Sequence, residues 1–156
     1  MTKFLLTLIF LVWLNPVFAQ QEPVQIPETD SIKEFGKKLD NAIDRLNTLI
    51  SLEKQFANIK TVKFEFQKPT VDRPHFEVYT TSPSGSTTVE LVTPTLLSTG
   101  ITLRKEAVAR IEKSGKDPSG RLAELVDSTR SVQIELEQLI SSPEYKKYME
   151  RLASEH

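Results

Sequence analysis

The sequence predicts an α+β fold in which a three-stranded antiparallel β-meander is packed on one face by long amphipathic helices, in the order α-βββ-α-α-α. Two patterns predict this fold. Apolar residues recur at spacings of three and four through residues 31–59 and 117–141, as in amphipathic helices. Residues 61–93 instead alternate apolar and polar side chains with a period of two, as in half-buried strands. Because the chain has no cysteine, its stability must come from a packed core rather than from disulfides.

The N-terminus has the pattern of a secretory signal peptide over residues 1–19. Lys3 supplies a positive charge, and residues 4–14 form a short apolar run. Val17 and Ala19 hold the two positions that a signal peptidase reads. A membrane-spanning helix needs about 20 apolar residues, and no stretch of this chain reaches that length. We therefore expect an exported protein, periplasmic or secreted, that is soluble and has no membrane span.

The segment after the signal peptide, residues 20–30, contains two prolines among polar side chains and is predicted to be an extended N-terminal tether. Residues 31–156 are predicted to form a single α+β domain. The first helix is expected to begin at Ser31, which forms a capping box with Glu34, and to run to residue 59. Its apolar stripe, which only Glu53 interrupts, consists of Ile32, Phe35, Leu39, Ala42, Leu46, Leu49 and Phe56.

The alternating segment is predicted to form three strands, with turns at residues 68–74 and 82–85. A first hairpin symmetric about Val71 places Phe66 opposite Phe76. A second hairpin symmetric about the 83–84 peptide link places Val78 opposite Val89. One face of the sheet is then apolar and the other faces water. The expected core residues are Phe64, Phe66 and Val78, and the expected exposed residues are Glu65, Glu77 and Tyr79.

The C-terminal half is predicted to be helical. Thr93 followed by Pro94 is a helix start, but Gly100 and several Thr and Ser residues favour a loop or a short fourth strand there, with a helix only over residues 102–113. The next helix is expected over 117–141, with Asp117 as its cap and Pro118 in its first turn. A short last helix over 144–153 is expected to dock on the domain through the stripe of Tyr145, Tyr148, Met149 and Leu152.

Few residues offer catalytic or cofactor chemistry. His75 is the only histidine besides the C-terminal one, and a hydrolase would need it beside Asp72 or Glu77 with a serine held nearby. The chain has no G-x-S-x-G nucleophile motif and no glycine-rich phosphate loop. Its 20 basic and 21 acidic residues leave no basic excess for nucleic-acid binding. We expect no cofactor and no nucleic-acid partner.

Three glutamates form the sharpest candidate site. The predicted register aligns Glu65, Glu77 and Glu90 across the polar face, with neighbours about 5 Å apart. Such a row of carboxylates is a candidate metal site for a hard cation such as Ca²⁺, or a dock for a basic partner. The alternative is an ordinary solvated face, on which Lys63 and Lys68 reduce the repulsion.

These observations favour an exported, non-enzymatic protein that binds another macromolecule: an envelope adaptor, an accessory subunit of a secretion or surface apparatus, or a small chaperone. We expect a protein partner, and a homo-oligomer is an open alternative because Leu52 and Ile134 lie outside the apolar stripes. A second hypothesis is a binding module for an apolar or cationic small ligand, held between sheet and helices or on the glutamate row. A third is a hydrolase that uses His75.

The start of the mature chain tests the export hypothesis. If a signal peptidase cuts after Ala19, N-terminal sequencing of the mature protein should begin at Gln20. Recovery of the protein from the cytoplasm with Met1 intact would contradict export.

Overall fold

The computed structural model describes residues 28–57 and 63–155, and it has the predicted α+β fold and element order. The predicted signal peptide and most of the predicted tether lie outside the described residues. Within the described ranges, no helix is both long and apolar enough to cross a membrane. The three strands form one antiparallel sheet in the order β1-β2-β3. The elements are α1 (Glu28–Ala57), β1 (Lys63–Gln67), β2 (Glu77–Thr81), β3 (Thr87–Leu91), α2 (Pro94–Ser114), α3 (Arg121–Ile140) and α4 (Pro143–Ser154).

One hydrophobic core joins the inner face of the sheet to three of the helices. The buried stripe of α1 lies at its centre, and Leu39, Ile43 and Leu46 are fully buried there. Burial of a large aliphatic side chain contributes about 1.5–3 kcal/mol, so this stripe accounts for much of the stability of the domain. The other core residues are Phe66, Phe76, Val78 and Val92 from the sheet region, Leu97 from α2, and Val132, Leu136 and Ile140 from α3.

The first helix begins earlier than predicted. α1 starts at Glu28, so Ser31 lies inside the helix and is not its cap. The first turn is held by α4, where Arg151 donates a hydrogen bond to the carbonyl oxygen of Thr29 at 3.3 Å. A tertiary contact therefore reaches the part of the helix that precedes the local capping signal.

The last helix docks on α1 through its tyrosines, as predicted. The rings of Tyr148 and Phe35 lie 5.9 Å apart between centroids. Tyr148 also lies against Gly36, where an added Cβ would come within 2.7 Å of the ring. The glycine at this position lets α4 approach the backbone of α1.

α2 begins directly after the sheet, so the loop or fourth strand predicted for residues 94–100 is helical. Thr93 is the N-cap of this helix, and its hydroxyl accepts a backbone N–H of the first turn. Gly100 does not interrupt the helix, and Gln133 of α3 packs against it. A Cβ at Gly100 would lie 2.6 Å from Nε2 of Gln133, so close helix packing explains the glycine.

α3 begins at Arg121 rather than at Pro118. Gly120 precedes it in the left-handed conformation, with φ 68°. The Asp117 carboxylate accepts the N–H of Ala123 at 3.0 Å. The N-cap is Gly120, so the predicted cap position and the predicted start of the helix are both wrong, although the Asp117 side chain does bind a backbone N–H of the first turn.

The first hairpin pairs in a different register from the predicted one. Phe66 lies opposite Val78, not opposite Phe76. The shift is two residues, and because side chains alternate with a period of two it leaves the faces unchanged. Phe66, Phe76 and Val78 therefore all remain buried.

The second hairpin differs by one residue, which exchanges the faces of β3. Ser82 N–H donates to the carbonyl of Ser86, and Gly85 has φ +87° inside the turn. The loop therefore has three residues and ends in a glycine bulge, whereas the prediction assumed two. Glu90 consequently lies opposite Val78 on the inner face. The residues that turn to the outer face are Val89 and Leu91, opposite Tyr79 and Glu77.

Asp40 on α1 has a buried carboxylate oxygen without a hydrogen-bond partner. Burial raises the pKa of this carboxyl group, Lys68 opposes the rise, and Asp44 adds to it. The Lys68 ammonium is bound instead by Asp44, at 2.6 Å. Burial also raises the pKa of the nearby Tyr148, and the charges of Asp40 and Glu155 raise it further.

Phe66 and Phe64 share a face of β1 but differ in burial, since Phe66 is 8% and Phe64 45% exposed. The expectation that Phe64 is a core residue is therefore wrong. Phe66→Ala should lower the free energy of unfolding by about 3–5 kcal/mol, and Phe64→Ala by about 1 kcal/mol. Urea unfolding of both variants measures the difference. Equal losses would contradict the observed burial.

Asp40→Asn should stabilise the fold at neutral pH. A raised pKa in the folded state means that the ionised carboxylate destabilises the protein, and that this penalty is relieved as the pH falls through the folded-state pKa. The melting temperature of the variant should exceed that of the wild type at pH 7, and the difference should shrink as the pH falls through that pKa. Asp72→Asn is the matched control, because it removes an exposed carboxylate on the connection between β1 and β2 and should leave the melting temperature unchanged. A destabilised Asp40→Asn variant at pH 7 would refute the argument.

Candidate binding surface at the third strand and the adjoining cleft

The two edges of the sheet differ, because the edge at β1 is bonded to α1 at Phe66. The Asn47 side chain donates from Nδ2 to the carbonyl oxygen of Phe66 at 2.8 Å. Its Oδ1 accepts the N–H of Phe66 at 2.9 Å. The amide therefore takes the place of a neighbouring strand at Phe66.

The edge at β3 is open: all five of its residues are exposed, and within the described chain no strand or helix lies beside it. Hydrogen-bonding direction alternates along an antiparallel strand. In β3 the even-numbered residues bond to β2, and Val92 N–H continues this ladder to the carbonyl of Phe76 at 2.8 Å. The outward-directed N–H and C=O groups consequently belong to Thr87, Val89 and Leu91.

The side chains of this edge combine two apolar groups with one charge. Val89 is 49% and Leu91 is 59% exposed on the outer face. Glu90 is the only charged residue of β3 and lies on the inner face. The Glu90 side chain has no hydrogen bond or ion pair within the described chain. The edge therefore offers backbone groups, apolar surface and an uncompensated carboxylate.

A cleft of about 240 Å³ lies between the inner face of the sheet and α2. Two of its wall residues, Phe64 and Leu103, are exposed large hydrophobic side chains. Its other principal lining residues are Thr80, Glu90, Leu96 and Arg104.

At the polar end of the cleft, the side chains of Arg104, Glu53 and Gln133 form hydrogen bonds with one another. Arg104 donates to Glu53 from Nε at 3.2 Å and from Nη2 at 3.4 Å. Its Nη1 donates to Oε1 of Gln133 at 3.0 Å, and Gln133 is only 4% exposed. The network joins α1, α2 and α3, and the charge of Arg104 is neutralised by Glu53.

Phe64 also contacts α1, because the ammonium group of Lys54 lies over its ring at 5.5 Å from the centroid. Burial lowers the pKa of Lys54, the charge of Lys63 lowers it further, and Glu53 opposes the change. One face of Phe64 is therefore occupied by a cation–π contact, and the cleft is bordered by the remainder of the ring.

The three predicted metal-site residues do not form a row. Glu65 pairs across the sheet with Tyr79, and Glu77 pairs with Gln67 on the same face. Glu90 lies on the opposite face because of the glycine bulge, so the predicted alignment is wrong. Nowhere in residues 28–57 and 63–155 do three or more His, Cys, Asp or Glu side chains form a group that could hold a metal ion.

His75 lies exposed in the connection between β1 and β2, and its backbone N–H donates to the carbonyl of Arg73 at 2.8 Å. The Glu77 carboxylate, one of its proposed acidic neighbours, accepts a hydrogen bond from the Tyr79 hydroxyl at 3.3 Å. Of the two residues considered for an oligomer contact, Leu52 is exposed and Ile134 is half-buried.

Sequence reasoning missed Asn47, Arg104 and Gln133. The one available signal was Glu53, a carboxylate inside an apolar stripe, which indicated a buried cationic partner. The partner itself lies 51 positions away, and no local pattern identifies it.

No protein-family model matches this chain, and neither a curated protein nor a solved structure matches it. The candidate surface is therefore defined by the geometry of β3 and the cleft alone.

Proposed function

We propose that this chain is an exported, non-enzymatic protein that binds another protein by accepting an extended segment as a fourth strand beside β3. The open edge of β3 is the observation that carries the proposal. An adaptor, an accessory subunit or a small chaperone would each use such an edge to hold an extended segment of its partner. Export rests on the signal-peptide pattern of residues 1–19.

The contrast between the two edges supports this use of β3. Proteins usually protect an exposed edge with lysine, proline, a bulge within the strand or a covering element. β1 is covered through Asn47, whereas β3 contains no lysine or proline and exposes Val89 and Leu91. Three outward-directed residues offer six backbone groups, and each hydrogen bond made there contributes about 0.5–1.5 kcal/mol.

The non-enzymatic part of the proposal is supported by the polar groups that line the cleft and by the position of His75. Arg104 and Gln133 bond to each other, and Arg104 also bonds to Glu53, so these groups hold helices together. His75 lies exposed on a connection.

The cleft supports a second candidate function, the binding of a small apolar or cationic ligand. Its exposed Phe64 and Leu103 offer apolar contacts, and Glu90 offers a negative charge. Binding of this kind would perturb Leu103 and leave the outward amide groups of β3 unprotected from exchange.

Strand addition is tested with a peptide selected from a random phage-displayed library on the full mature protein. Binding of the synthetic peptide should slow amide exchange at Val89 and Leu91, measured by NMR, because their N–H groups become hydrogen-bonded. Val89→Pro should weaken binding about tenfold or more, since it removes an outward N–H that β2 does not use. Affinity is measured by fluorescence anisotropy.

Val89→Thr is the matched control, because it keeps the N–H and the β-branched shape; it should change the affinity by about threefold at most. Circular dichroism should show that both variants are folded. Unchanged affinity in folded Val89→Pro, or protection confined to the helices, would refute strand addition.

A further inference from the structure

We propose that the segment accepted by β3 carries a lysine or arginine opposite Glu90, flanked by apolar residues opposite Val89 and Leu91. This inference rests on the proposed function and specifies the chemistry of its partner. It assigns Glu90 the role of selecting among extended segments that can all form the same backbone hydrogen bonds.

Pairing geometry places the partner of Glu90 where a charge pair is strongest. Thr87, Val89 and Leu91 direct their peptide groups outward, so an added antiparallel strand forms its hydrogen-bonded pairs with them. Glu90 then lies in a non-hydrogen-bonded pair, in which the facing Cα atoms are about 4.5 Å apart and the side chains are closest. Opposite charges at such positions stabilise the pairing, and like charges destabilise it.

The Glu90 carboxylate on the inner face lacks a counter-charge, so a cation opposite it would be stabilising. Glu90 has no ion pair within the described residues, and the residue that faces it on β2 is the apolar Val78. Arg104, the basic side chain that lines the same cleft, is already bonded to Glu53 and Gln133. The carboxylate is thus uncompensated at the border of an apolar cleft.

A lysine or arginine matches both properties of that border. Its aliphatic stem can lie against the apolar wall that includes Leu103, while its charged head reaches Glu90. On the outer face, Val89 and Leu91 present exposed apolar surface, and Tyr79 lies beside Val89. Apolar side chains on either side of the basic residue would bury this surface.

A second copy of the chain fits the edge less well. Antiparallel self-pairing about Val89 would place Thr88 opposite Glu90, so neither carboxylate would gain a counter-charge. Residues 20–27 of the chain contain no lysine or arginine either. The charge of the edge therefore favours a basic segment of a different protein.

Three synthetic nine-residue peptides test the inference; they differ only in the central triplet, which is Val-Lys-Val, Val-Gln-Val or Val-Glu-Val. For the wild type, the lysine peptide should bind about fivefold tighter than the glutamine peptide, and the glutamate peptide about fivefold weaker. The Glu90→Lys variant should reverse this order, and Glu90→Gln should abolish it. Glu77→Lys makes the same charge change on the outer face of β2 and should preserve the order.

Amide exchange at Val89 and Leu91 reports where each peptide binds. Protection at these amides without any preference among the three peptides would overturn the role of Glu90 and leave strand addition standing. Absence of protection with all three peptides would overturn both proposals. A β3-paired dimer of the free protein in sedimentation, lost in Val89→Pro, would also overturn the basic-segment inference, because a second copy would then occupy the edge.

Discussion

Two hydrogen bonds between the Asn47 side chain and the backbone N–H and C=O groups of Phe66 attach the sheet to α1 and fix the direction of hydrogen bonding in β1. Because Phe66 directs its N–H and C=O toward α1, its neighbours in β1 must bond to β2. The registers of the two hairpins carry this alternation to β3, where the peptide groups of Thr87, Val89 and Leu91 face outward. One side chain on a core helix thus anchors one edge of the sheet, and the pairing of the strands determines which backbone groups the other edge presents.

The fold was predictable because its elements depend on local periodicity, whereas the pairing of the strands was not. The apolar stripe of α1 and the alternation in β1 and β2 identify themselves over a few residues. The register depends on the number of residues in each loop, and a single bulge residue, Gly85, changes that number. An error of two in the first hairpin preserved the faces, but an error of one in the second exchanged them.

The candidate site was less predictable than the fold for the same physical reason. The alternation of the sequence alone predicts that Glu90 faces solvent. The bulge places it instead on the inner face, where its charge borders an apolar cleft. Gly100 reads as a helix breaker, yet it is the point at which Gln133 packs between two helices. Both residues acquire their roles from partners distant in sequence, which periodicity and capping rules do not describe.

A single charge on an otherwise uncharged edge has two physical effects. In any antiparallel self-pairing that places Glu90 opposite Glu90 of a second copy, the like charges repel and weaken the association. The same charge leaves the edge attractive to a segment that supplies a cation. An unprotected edge is normally an aggregation hazard, since its backbone groups pair with any extended chain. On β3, the Glu90 carboxylate would occupy a non-hydrogen-bonded position relative to any added antiparallel strand, where it can limit that hazard without closing the edge. An open strand can serve as a selective binding surface only under this condition.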